Sequence, residues 1–117
     1  MNRTFPRDRF FSWLLTGLLA VTIINYPNPV NPAGGQSATF EATCDATTEA
    51  VLYIYDMSAR LLLRRDFNLT GGGVINRTGW NGYNNYNEPV GNGIYLYSLI
   101  SRTGAKLGKG KIWVINQ

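Results

Sequence analysis

The sequence has 117 residues and a formal net charge of +4; 44% of its residues are hydrophobic and 15% are charged. This balance is too apolar and too weakly charged for a disordered chain, and the length suits one domain with a modest core. The chain has no histidine and one cysteine, which excludes an intrachain disulfide, the usual zinc sites and every histidine-based catalytic dyad or triad. The composition therefore predicts a folded, non-enzymatic protein without a cofactor.

The N-terminal segment has the pattern of a secretion signal. Three arginines lie within residues 1–9, and the apolar run FFSWLLTGLLAVTII occupies residues 10–24. The run is shorter than the roughly 20 residues that a membrane-spanning helix needs, and its basic flank favours export of the residues C-terminal to it. Three interpretations stay open: a signal peptide cleaved best after Ala20, an uncleaved anchor, or a strand formed by residues 21–24. We divide the chain into a leader, 1–24, and a β-domain, 25–117, with membrane contact only through the leader.

Turn-forming residues then separate short extended segments. Three prolines in residues 25–35, NYPNPVNPAGG, predict a stiff, extended stretch that is neither helix nor inner strand. Alternating or β-branched patterns predict strands, and the leucine-rich segment at residues 60–67 would also suit a helix, although it is short. Residues 81–93 hold five asparagines and three glycines, which predicts a long, ordered loop. The predicted strands are residues 37–44, 50–56, 60–67, 74–80, 93–102 and 107–116.

This order predicts an all-β fold, an Ig-like antiparallel β-sandwich of about seven strands. We expect Trp80 to anchor the core with its indole N–H on a backbone carbonyl, and Cys44 to be a small buried hydrophobe. We expect Asn81 and Gly82 to form a turn, and Gly93 to allow a close backbone approach. The predicted core residues are Leu52, Ile54, Trp80, Ile94 and Leu96.

Two groups of residues are candidates for binding. Aromatic and amide side chains in and after the long loop suit a protein or carbohydrate surface, although outward tyrosines are also ordinary on a sandwich. The asparagines and Glu88 could ligate calcium, but a hydrogen-bonded turn is the commoner use of such a loop. Three basic side chains on the last strand form a candidate sorting or contact strand, or simply a solvated edge. The two groups are Tyr83, Asn84, Asn85, Tyr86, Tyr95 and Tyr97, and Lys106, Lys109 and Lys111.

Several motifs occur in an order that resembles a known family. They are YPNP at 26–29, VLYIYD at 51–56, GWNG at 79–82, PVGNGIYLYSL at 89–99 and GKIWVI at 110–115. Together they resemble the Ig-like domain of the flagellar hook-capping protein and the related C-terminal sorting domain of bacterial type IX secretion cargo. The chain departs from that pattern at Val30, where an aromatic is usual, at Ala59, where a turn glycine is expected, and at Asn81, where an Asp is usual.

The resemblance implies an exported protein at the surface of a Gram-negative-type bacterium, or in its periplasm, recognised by an outer-membrane secretion apparatus. Our first hypothesis is a sorting, attachment or assembly module whose partner is a protein. The second is a self-assembling filament or surface-layer subunit that donates its N-terminal apolar segment to an identical neighbour. The third is a glycan-binding module. Nucleic acid is not an expected partner, because residues 25–117 hold eight basic and six acidic side chains.

Overall fold

The computed structural model describes residues 20–117, which form seven strands and no α-helix. The strands pair into two antiparallel sheets, ordered β1-β2-β5 and β4-β3-β6-β7. The predicted all-β sandwich is therefore confirmed. The strands are β1 (Val21–Tyr26), β2 (Ala38–Cys44), β3 (Ala50–Tyr55), β4 (Leu61–Asp66), β5 (Asn76–Trp80), β6 (Gly93–Ser101) and β7 (Lys106–Val114).

Each of the six strand predictions corresponds to a strand of the structure. β2 alternates as expected, with Phe40 fully buried and Glu41 facing out. The leucine-rich segment is the strand β4 rather than a helix, because it pairs along β3, where Ile54 lies opposite Leu63. Leu63 is buried and the next residue, Arg64, is exposed, so adjacent side chains point to opposite faces, as they do in a strand.

Strand β1 begins inside the segment that we assigned to the leader. It pairs with β2 over its whole length, from Val21 opposite Cys44 to Tyr26 opposite Thr39. The boundary at residue 24 therefore cuts through β1, and the sandwich begins at Val21. The reason is packing, since Val21 and Ile23 contact the core from one side of β1. The interpretations of residues 1–19 as a signal peptide or an anchor lie outside the described residues and stay predictions.

The proline-rich stretch is less uniform than we predicted. Residues 32–34 form a short 3-10 turn, in which Pro32 needs no N–H and Asn31 Oδ1 accepts from Gly34 N at 3.0 Å. Val30 is buried, and its backbone bonds to β7 through Trp113 O at 2.8 Å and Ile115 N at 3.0 Å. The stretch thus crosses from one sheet to the other and covers the outer edge of β7.

The core agrees with the prediction at Leu52, Ile54 and Trp80, which are at most 1% exposed. It differs on β6, where the predicted inward residues Ile94 and Leu96 lie on the outer face and Ile94 is 37% exposed. The inner face of β6 instead carries Tyr95, Tyr97 and Leu99.

The tyrosines turn inward because their rings find aromatic partners in the other sheet. Tyr95 meets Trp80 and Tyr97 meets Phe40, both in edge-to-face contact, with ring centroids 6.1 and 4.8 Å apart. Their hydroxyls also reach hydrogen-bond acceptors at the borders of the core.

Close backbone approaches occur on β7 rather than at Gly93. The space where a Cβ of Gly93 would lie is empty to 4 Å, so the predicted close approach is wrong. A Cβ at Gly108 would lie 2.6 Å from the Ile23 side chain, and one at Gly110 would overlap the Tyr97 ring and hydroxyl. The glycines of β7 therefore let β1 and the inner tyrosine approach the sheet.

Candidate functional site

The base of the loop between β5 and β6 is held by a backbone hydrogen bond and by two side chains. Trp80 Nε1 donates to Tyr83 O at 2.8 Å, as predicted for the buried indole. Asn81 Oδ1 accepts from Tyr83 N at 3.1 Å, and Gly82 has φ +83°, so the predicted turn is confirmed. Val90 N donates to Gly82 O at 2.9 Å and closes the base of the loop. The tryptophan thus joins the core to the loop that begins after it.

The tip of the loop uses its own amides and carboxylate to form a turn. Asn84 Oδ1 accepts from the N–H groups of Tyr86 and Glu88, both at 2.9 Å, and Asn84 Nδ2 donates to Glu88 Oε1 at 3.0 Å. Asn87 has φ +63°, a conformation that asparagine tolerates. Of the predicted calcium ligands, Asn84 and Glu88 are therefore engaged with each other and with the backbone of the turn. Among residues 20–117, no group of three or more His, Cys, Asp or Glu is arranged to hold a metal ion.

Asn85 attaches the loop to the edge of the four-stranded sheet. Its N–H donates to Leu62 O at 2.8 Å and its Oδ1 accepts from Arg64 N at 3.3 Å. These bonds satisfy backbone groups of β4, an edge strand that would otherwise be open to pairing with another chain. Asn85 therefore has a structural role, and because it is exposed its place in a binding surface stays a prediction.

A cavity of about 620 Å³ opens between this loop and the β3–β4 turn. Tyr86 forms part of its rim and is 84% exposed, while Tyr83 is 38% exposed. Of the predicted aromatic and amide surface, Tyr86 is thus the side chain most available to a ligand. An exposed ring beside polar groups can stack on a sugar or on an apolar side chain.

The two carboxylates beside the cavity already have partners. Glu88 bonds Asn84, and Asp56 Oδ1 accepts from Ser58 N and Arg60 N, both at 2.9 Å. The pKa of Asp56 is lowered, chiefly by the Arg60 backbone N–H, against a smaller opposing effect of burial. The carboxylate is thus a turn cap rather than a proton donor.

The two tyrosines of β6 do not join the exposed surface that we predicted for them. Tyr95 is 8% exposed and Tyr97 is 2% exposed. The Tyr95 hydroxyl donates to Gly91 O at 2.7 Å, and the Tyr97 hydroxyl donates to Asn25 Oδ1 at 2.9 Å. Burial raises the pKa of both hydroxyls. Their role is packing with a satisfied polar end, so the prediction of a contact surface is wrong at these two positions.

The three lysines of the candidate contact strand do lie together on the outer face of β7. Lys111 stands opposite Leu96, Lys109 opposite Ser98 and Lys106 opposite Ile100. All three lysines are exposed, and directly opposed residues of an antiparallel pair share a face. The three lysines therefore form a basic row that lies beside the outer side chains of β6.

A groove beside these lysines was not predicted from the sequence. It has a volume of about 630 Å³, and its wall and floor include Tyr55, Leu96, Ser98 and Ile100. A sequence signal existed, since apolar residues occur on both faces of β6, and one set had to remain outside. Because the sequence prediction placed Ile94 and Leu96 in the core, it did not identify the groove on the outer face of β6.

Cys44 behaves as predicted. It is a free, buried thiol whose Sγ donates to Ala46 O at 3.1 Å. Burial, and to a smaller extent the neighbouring Asp45, raise its pKa. A thiol with a raised pKa is a poor nucleophile.

No family model and no curated protein match this chain. Solved structures do match it. Dimeric latent PorU from Porphyromonas gingivalis is similar over 83% of this chain and 9% of its own, with 26% identity and a TM-score of 0.70. PorZ, an essential bacterial surface component of the type IX secretion system of P. gingivalis, is similar over 80% of this chain and 11% of its own, with 22% identity and a TM-score of 0.57.

The chain therefore spans only a small part of either solved protein. The likeness to PorZ concerns the fold alone, because the sequence identity is low. The likeness to PorU includes the sequence, since about a quarter of the aligned residues are identical. Within residues 20–117, no helix is both long and apolar enough to cross a membrane.

Proposed function

We propose that the chain is a non-catalytic, exported bacterial Ig-like module that acts in sorting, attachment or assembly at the cell surface. The observation that carries the proposal is the likeness to a segment of PorU, which joins a TM-score of 0.70 to 26% identity. The likeness to PorZ, a surface component of the type IX secretion system, is compatible with that setting. The partner that we propose is a protein of the secretion or surface apparatus.

The positions of the family-like motifs in the fold support the proposal. The GWNG motif at 79–82 ends β5 and begins the ordered loop, with Trp80 in the core. The turn at 56–60 uses Ala59 with φ +66°, at the position where the resembled family has glycine. The motifs thus occupy structural positions that such residue types favour, which supports a member or descendant of the sorting-domain family.

The start of β1 sharpens the proposal about the leader. Cleavage after Ala20 would leave β1 intact, since this strand begins at Val21. A mature N-terminus at Asn25 would instead remove four of its six residues, including Val21 and Ile23, which pack on the core. We therefore propose that any cleavage of the leader occurs before Val21, and that the exported domain begins there.

Surface delivery tests the function. The full chain, carrying an epitope in the exposed turn at residues 103–104, is expressed in a bacterium that has a type IX secretion system and in a strain that lacks it. We expect the epitope to be accessible to antibody on intact cells only in the first strain. Trp113→Ala, on the outer face of β7, should retain delivery, whereas Trp80→Ala should abolish it by unfolding the domain. Equal surface exposure in both strains, or retention inside both, would contradict the proposal.

Glycan binding is a second candidate because an exposed aromatic ring lies beside a cavity. Tyr86 is 84% exposed and contributes to the rim of the 620 Å³ cavity. Titration with soluble oligosaccharides, followed by intrinsic fluorescence, should give saturable binding that Tyr86→Ala removes. Tyr26→Ala is the matched control, because Tyr26 is also exposed but lies on the other sheet. Equal affinities for both variants would exclude this cavity as a glycan site.

The filament hypothesis gains no support from residues 21–24. These residues pair with β2 of the same chain, so donating them to a neighbour would first require breaking that pairing. Strand exchange would leave a large assembly, whereas a sorting or attachment module is compatible with a monomer. Size-exclusion of the exported protein distinguishes the two.

A further inference from the structure

We propose that the groove on the outer face of the four-stranded sheet binds an acidic, partly apolar segment of a partner protein. The inference rests on the proposed attachment function and names the chemistry of the partner. The groove, called here the β6–β7 groove, is formed by Tyr55, Leu96, Ser98, Ile100 and the three lysines of β7, and its volume is about 630 Å³.

The groove exists because a small side chain lies among larger ones. Along the outer face of β6, Ser98 is flanked by Leu96 and Ile100. Across the sheet, Ser98 lies between Tyr53 on β3 and Lys109 on β7. Tyr55 lines the groove on the side of β3, and its ring stacks on that of Tyr53 with centroids 6.2 Å apart. The depression at Ser98 therefore has an aromatic side and a basic side.

The charge of the groove lies on the side of β7. Lys106, Lys109 and Lys111 are the only lysines of the sequence. Within the part of the chain that the structure describes, none of them forms a salt bridge, whereas Asp66 at the opposite border is 3.5 Å from both Arg64 and Arg102. Asp66 is therefore already paired with arginines. The three lysines are not neutralised by a carboxylate of this sheet face, and their positive charge can attract an incoming anion.

The spacing of the row suits an extended chain. Lys109 and Lys111 are two residues apart on one strand, which places their Cα atoms roughly 6.5–7 Å apart. Carboxylates at every second residue of an extended peptide have the same spacing. The spacing of the lysines along β7 therefore favours an extended peptide segment over a compact anion.

The floor of the groove selects a protein partner over a phosphate-rich one. Leu96, Ile100 and Tyr55 are partly exposed apolar side chains, and covering them stabilises a complex only if the partner brings apolar groups. A nucleic acid or a polyphosphate would satisfy the lysines but would leave this floor in contact with ions and water. An acidic segment that also carries apolar side chains satisfies both.

Lysine chemistry gives a selective test. Apart from the N-terminal amine, amine-directed reagents can modify only this face, because the chain has no other lysine. The probe is a fluorescent peptide of about ten residues in which aspartate and leucine alternate, with an asparagine-for-aspartate peptide as its control. We expect anisotropy to show saturable binding of the acidic peptide by the full chain. Acetylation, which removes the charge, should weaken binding at least about tenfold, whereas reductive methylation, which keeps it, should not.

Variants separate the basic row from the apolar floor. The triple variant K106Q/K109Q/K111Q should lose binding as the acetylated protein does. Ser98→Tyr should weaken binding about tenfold by filling the depression, and tyrosine suits an exposed strand position. Arg77→Gln is the control, because it removes one positive charge from the other sheet, where Arg77 pairs with Glu41 at 3.1 Å. The control should bind like the unmodified chain.

Three outcomes would overturn the proposal: no binding of the acidic peptide, binding unchanged by Ser98→Tyr, or equally tight binding of inorganic polyphosphate. The second and third outcomes would show that this face is a positively charged surface that binds anions without selectivity. Each is distinguishable from failure of the proposed function, because surface delivery is measured separately in cells. A chain that reaches the surface but ignores the peptide retains the function and loses this inference.

Discussion

The two faces of β6 are almost equally apolar in composition, yet the fold treats them differently. The inner face buries Tyr95, Tyr97 and Leu99, while the outer face leaves Ile94 and Leu96 partly in contact with solvent. Simple hydrophobicity would bury the isoleucine and the leucine before the tyrosines. The difference therefore depends on something other than the apolar area of each residue.

Hydrogen-bond acceptors at the borders of the core explain the choice. Each inner tyrosine ends at an oxygen, Tyr95 at Gly91 O and Tyr97 at Asn25 Oδ1. A buried tyrosine is stable only when its hydroxyl is satisfied. The larger rings also fill the space between the sheets, against Trp80 and Phe40. The outer face is left with aliphatic groups that a partner can cover.

The largest expected effect compares two tryptophans on opposite sides of the four-stranded sheet. Trp80→Ala should lower the free energy of unfolding by about 3–5 kcal/mol, because it leaves a cavity in the core. Trp113→Ala should cost about 1 kcal/mol or less, because Trp113 is 47% exposed. Urea unfolding followed by circular dichroism measures both. Similar midpoints for the two variants would contradict the assignment of inner and outer faces.

Gly110 tests whether the inner tyrosine controls the shape of β7. A methyl group added by Gly110→Ala would overlap the Tyr97 ring, and we expect a loss of about 1–3 kcal/mol. Tyr97→Leu removes the ring, so the double variant should lose less than the sum of the two single losses. Thermal unfolding of the four proteins gives this coupling energy. Strict additivity would show that the ring and the glycine do not meet.

Alkaline pH should destabilise the fold through the same tyrosines. Burial raises the pKa of Tyr95 and Tyr97 in the folded protein. In the unfolded chain they ionise near pH 10, so their contribution is complete below about pH 10 and is lost as pH rises through the folded-state pKa.

The variant Tyr95→Phe/Tyr97→Phe should therefore show a shallower fall of stability above pH 10. Denaturant titrations at a series of alkaline pH values measure the slope. The variant Tyr83→Phe/Tyr86→Phe is the control, because it removes exposed tyrosines. The core assignment would be in error if this control flattened the curve as much as the inner pair does.

The smallest expected effect lies in the turn between β3 and β4. Ala59 has φ +66°, a conformation that glycine adopts more easily, so Ala59→Gly should stabilise the fold by about 0.5–1 kcal/mol. Ser58→Gly is the matched control, because Ser58 does not have a positive φ and glycine there adds only unfolded-state entropy. Differential scanning calorimetry should show a higher melting temperature for the first variant and a slightly lower one for the second. The reverse order would contradict the turn geometry.

Most of the fold could be predicted from local sequence. Alternation identified β2 and β3, and the asparagine-rich loop with its Trp80 anchor followed from turn chemistry. The start of β1 could not be separated from the leader, because VTII suits both an apolar leader and a strand. Only its pairing with β2 and the packing of Ile23 against Gly108 decide that these residues belong to the sandwich.

The candidate sites were predicted in part. Tyr86 and the three lysines are exposed, as a binding surface requires. This could be predicted because loop residues and charged side chains seldom lie in the core of a domain. Asn84 and Asn85 are used by the loop itself, which depends on contacts within the turn and with β4. The β6–β7 groove could not be found from one strand, since it combines residues of three strands.

The sequence alone determined that the chain forms strands and turns, because side-chain branching, alternation and glycine or asparagine positions act on the local backbone. It also determined the absence of histidine chemistry. The tertiary structure decided which face of β6 is buried, because that choice depends on acceptors such as Asn25 and on aromatic partners far away along the chain. The same choice left the outer apolar residues beside the lysines, and it thereby created the surface that we propose for binding.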